Sequence, residues 1–180
     1  MTDCRPARQD RPGEHSRYQG HQAVVDVDTE TGQTVLRRVV TVDDAGTVMN
    51  PLIAEGQRHG GIAQGAAQAF CEEVVYDTDG NPLTSSFADY AFLSATEVPS
   101  FELAEMATPT SYNPLGAKGI GEAGTIGATP AVQNAIIDAV AHLGVRHIDM
   151  PATPQRVWRE LRVWRELRVW RELRAAAARA

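Results

Sequence analysis

Residues 116–127 read GAKGIGEAGTIG, with Gly119, Gly121 and Gly124 in a G-x-G-x-x-G spacing and one acid, Glu122, among them. In a dinucleotide-binding fold that spacing follows a strand, opens a helix and is answered by an acid about 20 residues further on. Here the preceding SYNPLGAK is turn-like, and the corresponding downstream stretch is LGVR, with an acid only at Asp149. A doubly wound nucleotide-binding sheet is therefore excluded. The glycines still let backbone N–H groups approach a bound group, and the Glu122 carboxylate can project into the space they clear. That arrangement suits a general base. From the spacing alone, a solvated turn glutamate is the commoner outcome.

On either side of the loop the patterns mix strands and helices without a βαβ rhythm, which predicts an α+β fold. AVVDVD and TVLRRVVTVDD, joined by TETG, read as a β-hairpin starting near Gln22. After Asn50-Pro51, Ile62, Ala66, Ala69 and Phe70 share one helical face, and Gly56, Gly60, Gly61 and Gly65 imply close approach to something. Asp79-Gly80 predicts a second hairpin or a strand exit. Thr129 and Pro130 read as N-cap and first residue of a helix carrying Val132, Ile136, Val140 and Leu143, stopped by Gly144. VRHIDM reads as a short strand, and Thr153-Pro154 opens a last helix.

The chain has 180 residues, of which 43% are hydrophobic, with a net charge of -6. That suffices for one core. Residues 1–20, rich in Arg, Asp, Gly and Pro, read as a disordered leader, residues 21–162 as the folded body, and residues 163–180 as a helical tail. No apolar run approaches a membrane span and no apolar segment follows the leader arginines, so a cytoplasmic protein is expected. An acidic body argues against nucleic-acid binding, because the basic excess is confined to residues 151–180, with eight arginines and three glutamates.

That excess comes from VWRELR, present three times between Val157 and Arg174. Six residues turn a helix by about 240°, so Trp158, Trp164 and Trp170 point in three directions. Neither a coiled coil nor a solenoid has this period. The first copy is read as part of the body and the others as an exposed extension. Cys4 and Cys71 are too far apart for a C-x-x-C site, His59 has no second ligand at i+4, and His142 and His147 read as exposed, so no protein metal site is expected.

Taken together, GQRHGGIAQGAAQAFCEEVVYD, SSFADYAFLSATEVPSFELAEMATPTSYNPLGAKGIGEAGTIGATPAVQNAIIDAV and VRHIDMPATPQRVWREL resemble, in order, the C-terminal end of the molybdopterin-binding large subunit of the molybdenum hydroxylases. This is the family of xanthine dehydrogenase, aldehyde oxidase and carbon monoxide dehydrogenase. The resemblance spans roughly residues 22–162 and implies a C-terminal molybdopterin-binding domain fragment with an extended last helix. Glu122 matches the family's active-site base. Gln64 and Gly65, in GIAQG, match a cofactor contact, and Lys118, Gly119, Ile120 and Gly121 match a segment whose backbone lies along the cofactor.

The implied cofactor is molybdopterin with its molybdenum, in the simple or cytosine-dinucleotide form. The implied activity is oxidation of a small carbonyl, heterocyclic or CO-type substrate with water-derived oxygen. Iron-sulfur clusters and FAD are implied only on partner subunits, since two isolated cysteines cannot make a four-thiolate site. A further expected partner is the N-terminal part of the large subunit. Ala67 departs from a glycine usual in the family, and the leader and repeated tail match nothing in it. A non-catalytic remnant or interaction module without cofactor is the alternative.

Overall fold

The computed structural model describes residues 19–177. The β-branched runs form β1 (Gln19–Val27) and β2 (Thr34–Asp43), paired antiparallel from Gln19↔Asp43 to Val27↔Thr34. Gly32 turns the hairpin with a φ of 76°, against the backbone of Pro154 and Trp158, where a Cβ has no room. The strand starts slightly before the expected point, so Gln19 and Gly20 are paired, while the rest of the expected leader lies outside the described residues.

From β2 the chain enters α1 (Pro51–Phe70), where the Asn50 side chain accepts the Ile53 N–H and Pro51 takes the first turn. It returns to the sheet as β3 (Phe101–Glu105), parallel to β2 with Val39 opposite Phe101 and Asp43 opposite Glu105. The sheet order is β1-β2-β3, one antiparallel and one parallel pairing, as an α+β fold allows. The short FELAE run was not foreseen as a strand. Its pairing with β2 is supplied by the crossover through α1.

Two helices follow, α2 (Ala123–Ala141) and α3 (Pro154–Ala177). The face of α1 predicted to be apolar meets α2 through glycines. A Cβ at Gly65 would stand 2.8 Å from the Thr125 carbonyl oxygen, and one at Gly61 would stand 3.0 Å from the Gly124 Cα. Leu36 and Val39 of the sheet, Ile62 and Ala66 of α1, Val132, Ile136 and Val140 of α2, and Val157 and Leu161 of α3 close one core. Gly56 and Gly60, by contrast, face open space.

Four expectations are corrected, three of them between α1 and α3. The second long helix begins at Ala123, not at Thr129, and Pro130 lies inside it. Packing of Gly124 and Ala128 on α1 stabilises the extra turns. The Ile126 carbonyl, which loses a donor to Pro130, belongs to an exposed residue that water can satisfy. VRHIDM is not a strand. It is an irregular run whose Val145 and Ile148 are buried and whose Ile148 carbonyl accepts from Gln133 Nε2 at 2.6 Å. The Asp79-Gly80 turn forms, with Gly80 at a φ of 84°, but the hairpin reduces to one bridge between Tyr76 and Pro82. Asp77 ties that turn by accepting the N–H groups of Asp79 and Asn81.

Thr153 and Pro154 open α3 as expected, with Thr153 accepting the Arg156 N–H. The second repeat copy is not a free extension. Trp164 packs on the core and against Gly144, and Arg165 reaches Glu30 at 2.8 Å. Beyond it the helix loses the body, and Trp170 is 63% exposed.

Candidate cofactor-binding site

Asp43, the last residue of β2, and Asp44, which follows it, are both buried, and each needs donors to offset its desolvation. Asp43 accepts from the Thr41 hydroxyl at 2.9 Å, lies 3.1 Å from His21 Nε2, and faces Arg58 Nη1 at 4.0 Å. Burial pushes its carboxyl up, but the His21 and Thr41 hydrogen bonds and the Arg58 charge outweigh that and hold it below the usual range. Arg58, itself buried on α1, donates to the Ala104 carbonyl and to Glu105, each at 3.0 Å.

Asp44 accepts from Gly46 N at 2.8 Å, from Thr108 N at 3.1 Å, from the Thr108 hydroxyl, and from Lys118 Nζ at 2.6 Å. Burial again opposes ionisation. Lys118 and Thr108 prevail and hold the Asp44 carboxyl well below the usual carboxylate range. The Lys118 amino group also donates to the Thr108 hydroxyl oxygen at 2.7 Å, so its charge is engaged within the chain.

The glycine loop is pinned on its upstream side. Gly116, with a φ of 67°, offers its carbonyl to the N–H groups of Thr47 and Thr110. Ala117 bridges Gly46, and Lys118 N donates to the Ala45 carbonyl at 2.8 Å. Gly119, Gly121 and Glu122 then run exposed into α2. Glu122 is the N-cap residue of α2 but makes no side-chain capping bond, so its carboxylate is not spent on the helix end. The helix dipole favours negative charge there.

Against this loop stands the solvent face of α1. A Cβ at Gly121 would meet Gln57 Oε1 at 3.9 Å, and Gln64 Oε1 takes the Thr125 hydroxyl at 3.4 Å. Gly65 is buried beneath, its carbonyl taking the Thr129 hydroxyl at 3.2 Å. These contacts bring Gln64 and Gly121, with Glu122 next in the chain, to one exposed shelf between α1 and the start of α2, and Gly119 is exposed two residues upstream. Gly65 lies in its floor, and the Lys118 side chain is turned back to Asp44. Ile120 is half-buried at the edge. His59 bonds the Glu55 carbonyl at 3.0 Å, as a helix residue would, and His142 and His147 are exposed. Burial pushes the half-buried Cys71 thiol up, as do Glu72 and Glu97.

The shelf is lined by open backbone and amides. Nothing lies within 4 Å of where a Cβ would stand at Gly56 or Gly60, so the surface of α1 is open there as well. Among the described residues no three His, Cys, Asp or Glu side chains are grouped as metal ligands. A metal held here would depend on donor atoms brought by its own organic ligand.

Residues 2–99 match the model of the molybdopterin cofactor-binding domain. The chain belongs to the molybdenum hydroxylase family. It is 44% identical over 139 residues to the carbon monoxide dehydrogenase large chain of Hydrogenophaga pseudoflava, covering 77% of this chain and 17% of that one. The nicotine 6-hydroxylase large subunit of Paenarthrobacter nicotinovorans is 40% identical, over 78% of this chain and 17% of its own length. Among solved structures, a Cu,Mo-CO dehydrogenase superposes with a TM-score of 0.79 at 38% identity, covering 82% of this chain and 19% of that one. Quinoline 2-oxidoreductase from Pseudomonas putida 86 does so with 0.77 at 40%, over 79% and 18%. This hydroxylase-family chain therefore spans less than a fifth of the length of these relatives. No helix among its described residues is long and apolar enough to cross a membrane.

Asp43, Asp44, Arg58 and Thr108 were not singled out from the sequence. The available signal was two adjacent acids closing a β-branched strand, where burial demands partners.

Proposed function

We propose that this chain supplies the molybdopterin-binding shelf of a hydroxylase that oxidises a small carbonyl, heterocyclic or CO-type substrate with water-derived oxygen. The observation that carries the reading is that Glu122, whose side chain makes no capping bond, sits at the start of α2 beside Gly121, where Gln57 and Gln64 of α1 approach the loop. When bound, the molybdenum cofactor supplies the redox centre that takes up the substrate's electrons. Gln64 orients the cofactor by its amide, and the backbone of Lys118, Gly119, Ile120 and Gly121 lies along it, closely because two of the four residues lack side chains. Gly65 lets α2 approach α1 and so sets the spacing between Gln64 and Glu122.

Glu122 is the proton acceptor in this reading. Its side chain, free of the helix cap, can take a proton at Oε1 or Oε2 from a group on the shelf. The shelf is open, so water must be excluded by the remainder of a large subunit. Iron-sulfur and flavin subunits are the partners proposed to carry electrons away, and the assembly is placed in the cytoplasm. The support for partner subunits is that relatives are named as a large chain and a large subunit.

The test is Glu122→Gln in the assembled enzyme, measured as turnover per bound molybdenum. Loss of a general base lowers turnover by about 10² to 10⁴-fold while cofactor content is unchanged. Unchanged turnover would sink the assignment of Glu122 as the base, whereas absence of molybdenum from the assembly would return the chain to the alternative of a module without cofactor.

A further inference from the structure

We propose that Asp44 is a positioning residue that fixes the Glu122 loop through Lys118, an inference that rests on reading Glu122 as the base. The Asp44 carboxylate collects donors from three separate stretches of chain: the exit of β2 at Gly46, the run after β3 at Thr108, and the glycine loop at Lys118. Thr108 is shared, since its hydroxyl bonds Asp44 and accepts from Lys118. Lys118 lies four residues before Glu122, and Gly119 and Gly121 stand between them. Gly116 flanks the other side.

A segment with three glycines in six residues has wide backbone freedom, so its course depends on where it is tied. The downstream tie is Ala123, buried at the start of α2. The upstream side-chain tie is the ammonium of Lys118, held at a side chain with no exposure. An apolar anchor would permit sliding, whereas a charge held by two oxygen partners defines a direction as well as a depth.

The neighbouring Asp43 does the corresponding work for the opposite wall. It faces Arg58 of α1, and Gln64 projects from that helix less than two turns further on. Consecutive carboxylates at one strand end thus register both sides of the shelf. The Asp43 contacts explain the stability of α1 against the sheet. Those of Asp44 reach only irregular chain, and the segment they fix is the one that presents Glu122.

The experiment combines amide hydrogen exchange on the full chain with turnover of the assembled enzyme. In Asp44→Asn the amides of Thr47, Thr110 and Lys118, which bond across the anchored loops, exchange within a few-fold of an unstructured peptide. Residues 132–140 of α2 keep at least roughly 100-fold protection. Turnover per bound molybdenum falls about 10²-fold, the effect of a reacting group misplaced by about 1 Å. Adding Glu122→Gln to Asp44→Asn lowers it no further than Glu122→Gln alone.

Adding Lys118→Met to Asp44→Asn removes the stranded ammonium and restores the melting temperature, yet restores neither the loop protection nor the turnover. A purely structural pair would restore all three, and that result overturns the proposal. So does retained protection of the Lys118 amide in Asp44→Asn, whatever Glu122 does. If Asp44→Asn does not fold, Thr108→Val, which weakens the anchor and leaves the ion pair, must raise exchange at Lys118 at least about threefold over that in α2; equal exchange overturns the proposal. Loop release with a harmless Glu122→Gln defeats the base assignment alone, and the anchoring stands.

Discussion

Asp43 and Asp44 make the chain acid-sensitive in a defined direction. Both carboxyls are held below their ordinary range in the folded state, so they stabilise it fully above the unfolded value of about 3.9. That contribution is lost as pH falls below it and the acids are forced to bind protons. The melting temperature should hold steady down to about pH 4 and drop between about pH 4 and pH 2, with a shallower drop in Asp44→Asn. A flat profile over that interval would show that the two acids are not coupled to folding. Residue roles were legible where they depend on local chemistry, as with Thr153 before Pro154 at the start of α3. They were illegible where partners are remote. Asp44 meets Thr108 and Lys118 across 64 and 74 positions, and no periodicity in the sequence carries such a pairing.

Among the elements, α3 separates what the repeated unit could tell from what it could not. Its six-residue period correctly scatters the tryptophans, but periodicity alone does not show where the body ends. Trp164 leans on Gly144 and the core, whereas Trp170 stands clear of them. Trp164→Ala should therefore cost about 1–3 kcal/mol, below the 3–5 of a fully buried aromatic, because Trp164 is only partly covered. Trp170→Ala should stay within about 0.5 kcal/mol. Urea titration of both variants checks the pair, and equal costs would mean that the second copy does not pack. Thr129-Pro130 misled because cap chemistry and a mid-helix proline look alike without knowledge of the helix next door. Conversely, the α1 glycines were informative because a helix tolerates several only where something approaches, as α2 does at Gly61 and Gly65. Gly56 and Gly60 face open space instead.

For the whole molecule, one wall of a binding site is not a binding site. A cofactor pocket normally encloses most of its ligand, whereas Gln64, Gly121 and Glu122 are all exposed on the shelf. The purified chain alone should retain no stoichiometric molybdenum when measured by elemental analysis, while the assembled enzyme should. Full occupancy of the lone chain would contradict the shelf geometry. The glycine contact between α1 and α2 also bears on how the protein is born. Four glycines make α1 a poor helix in isolation, and its partner α2 begins at Ala123, more than fifty residues later. During synthesis the β1–β2 hairpin can close early, but α1 must wait on the ribosome, unsupported, until α2 has emerged. The apolar face of Ile62, Ala66 and Ala69 stays uncovered for that interval, which makes the nascent chain, rather than the finished one, the form in greatest need of a chaperone.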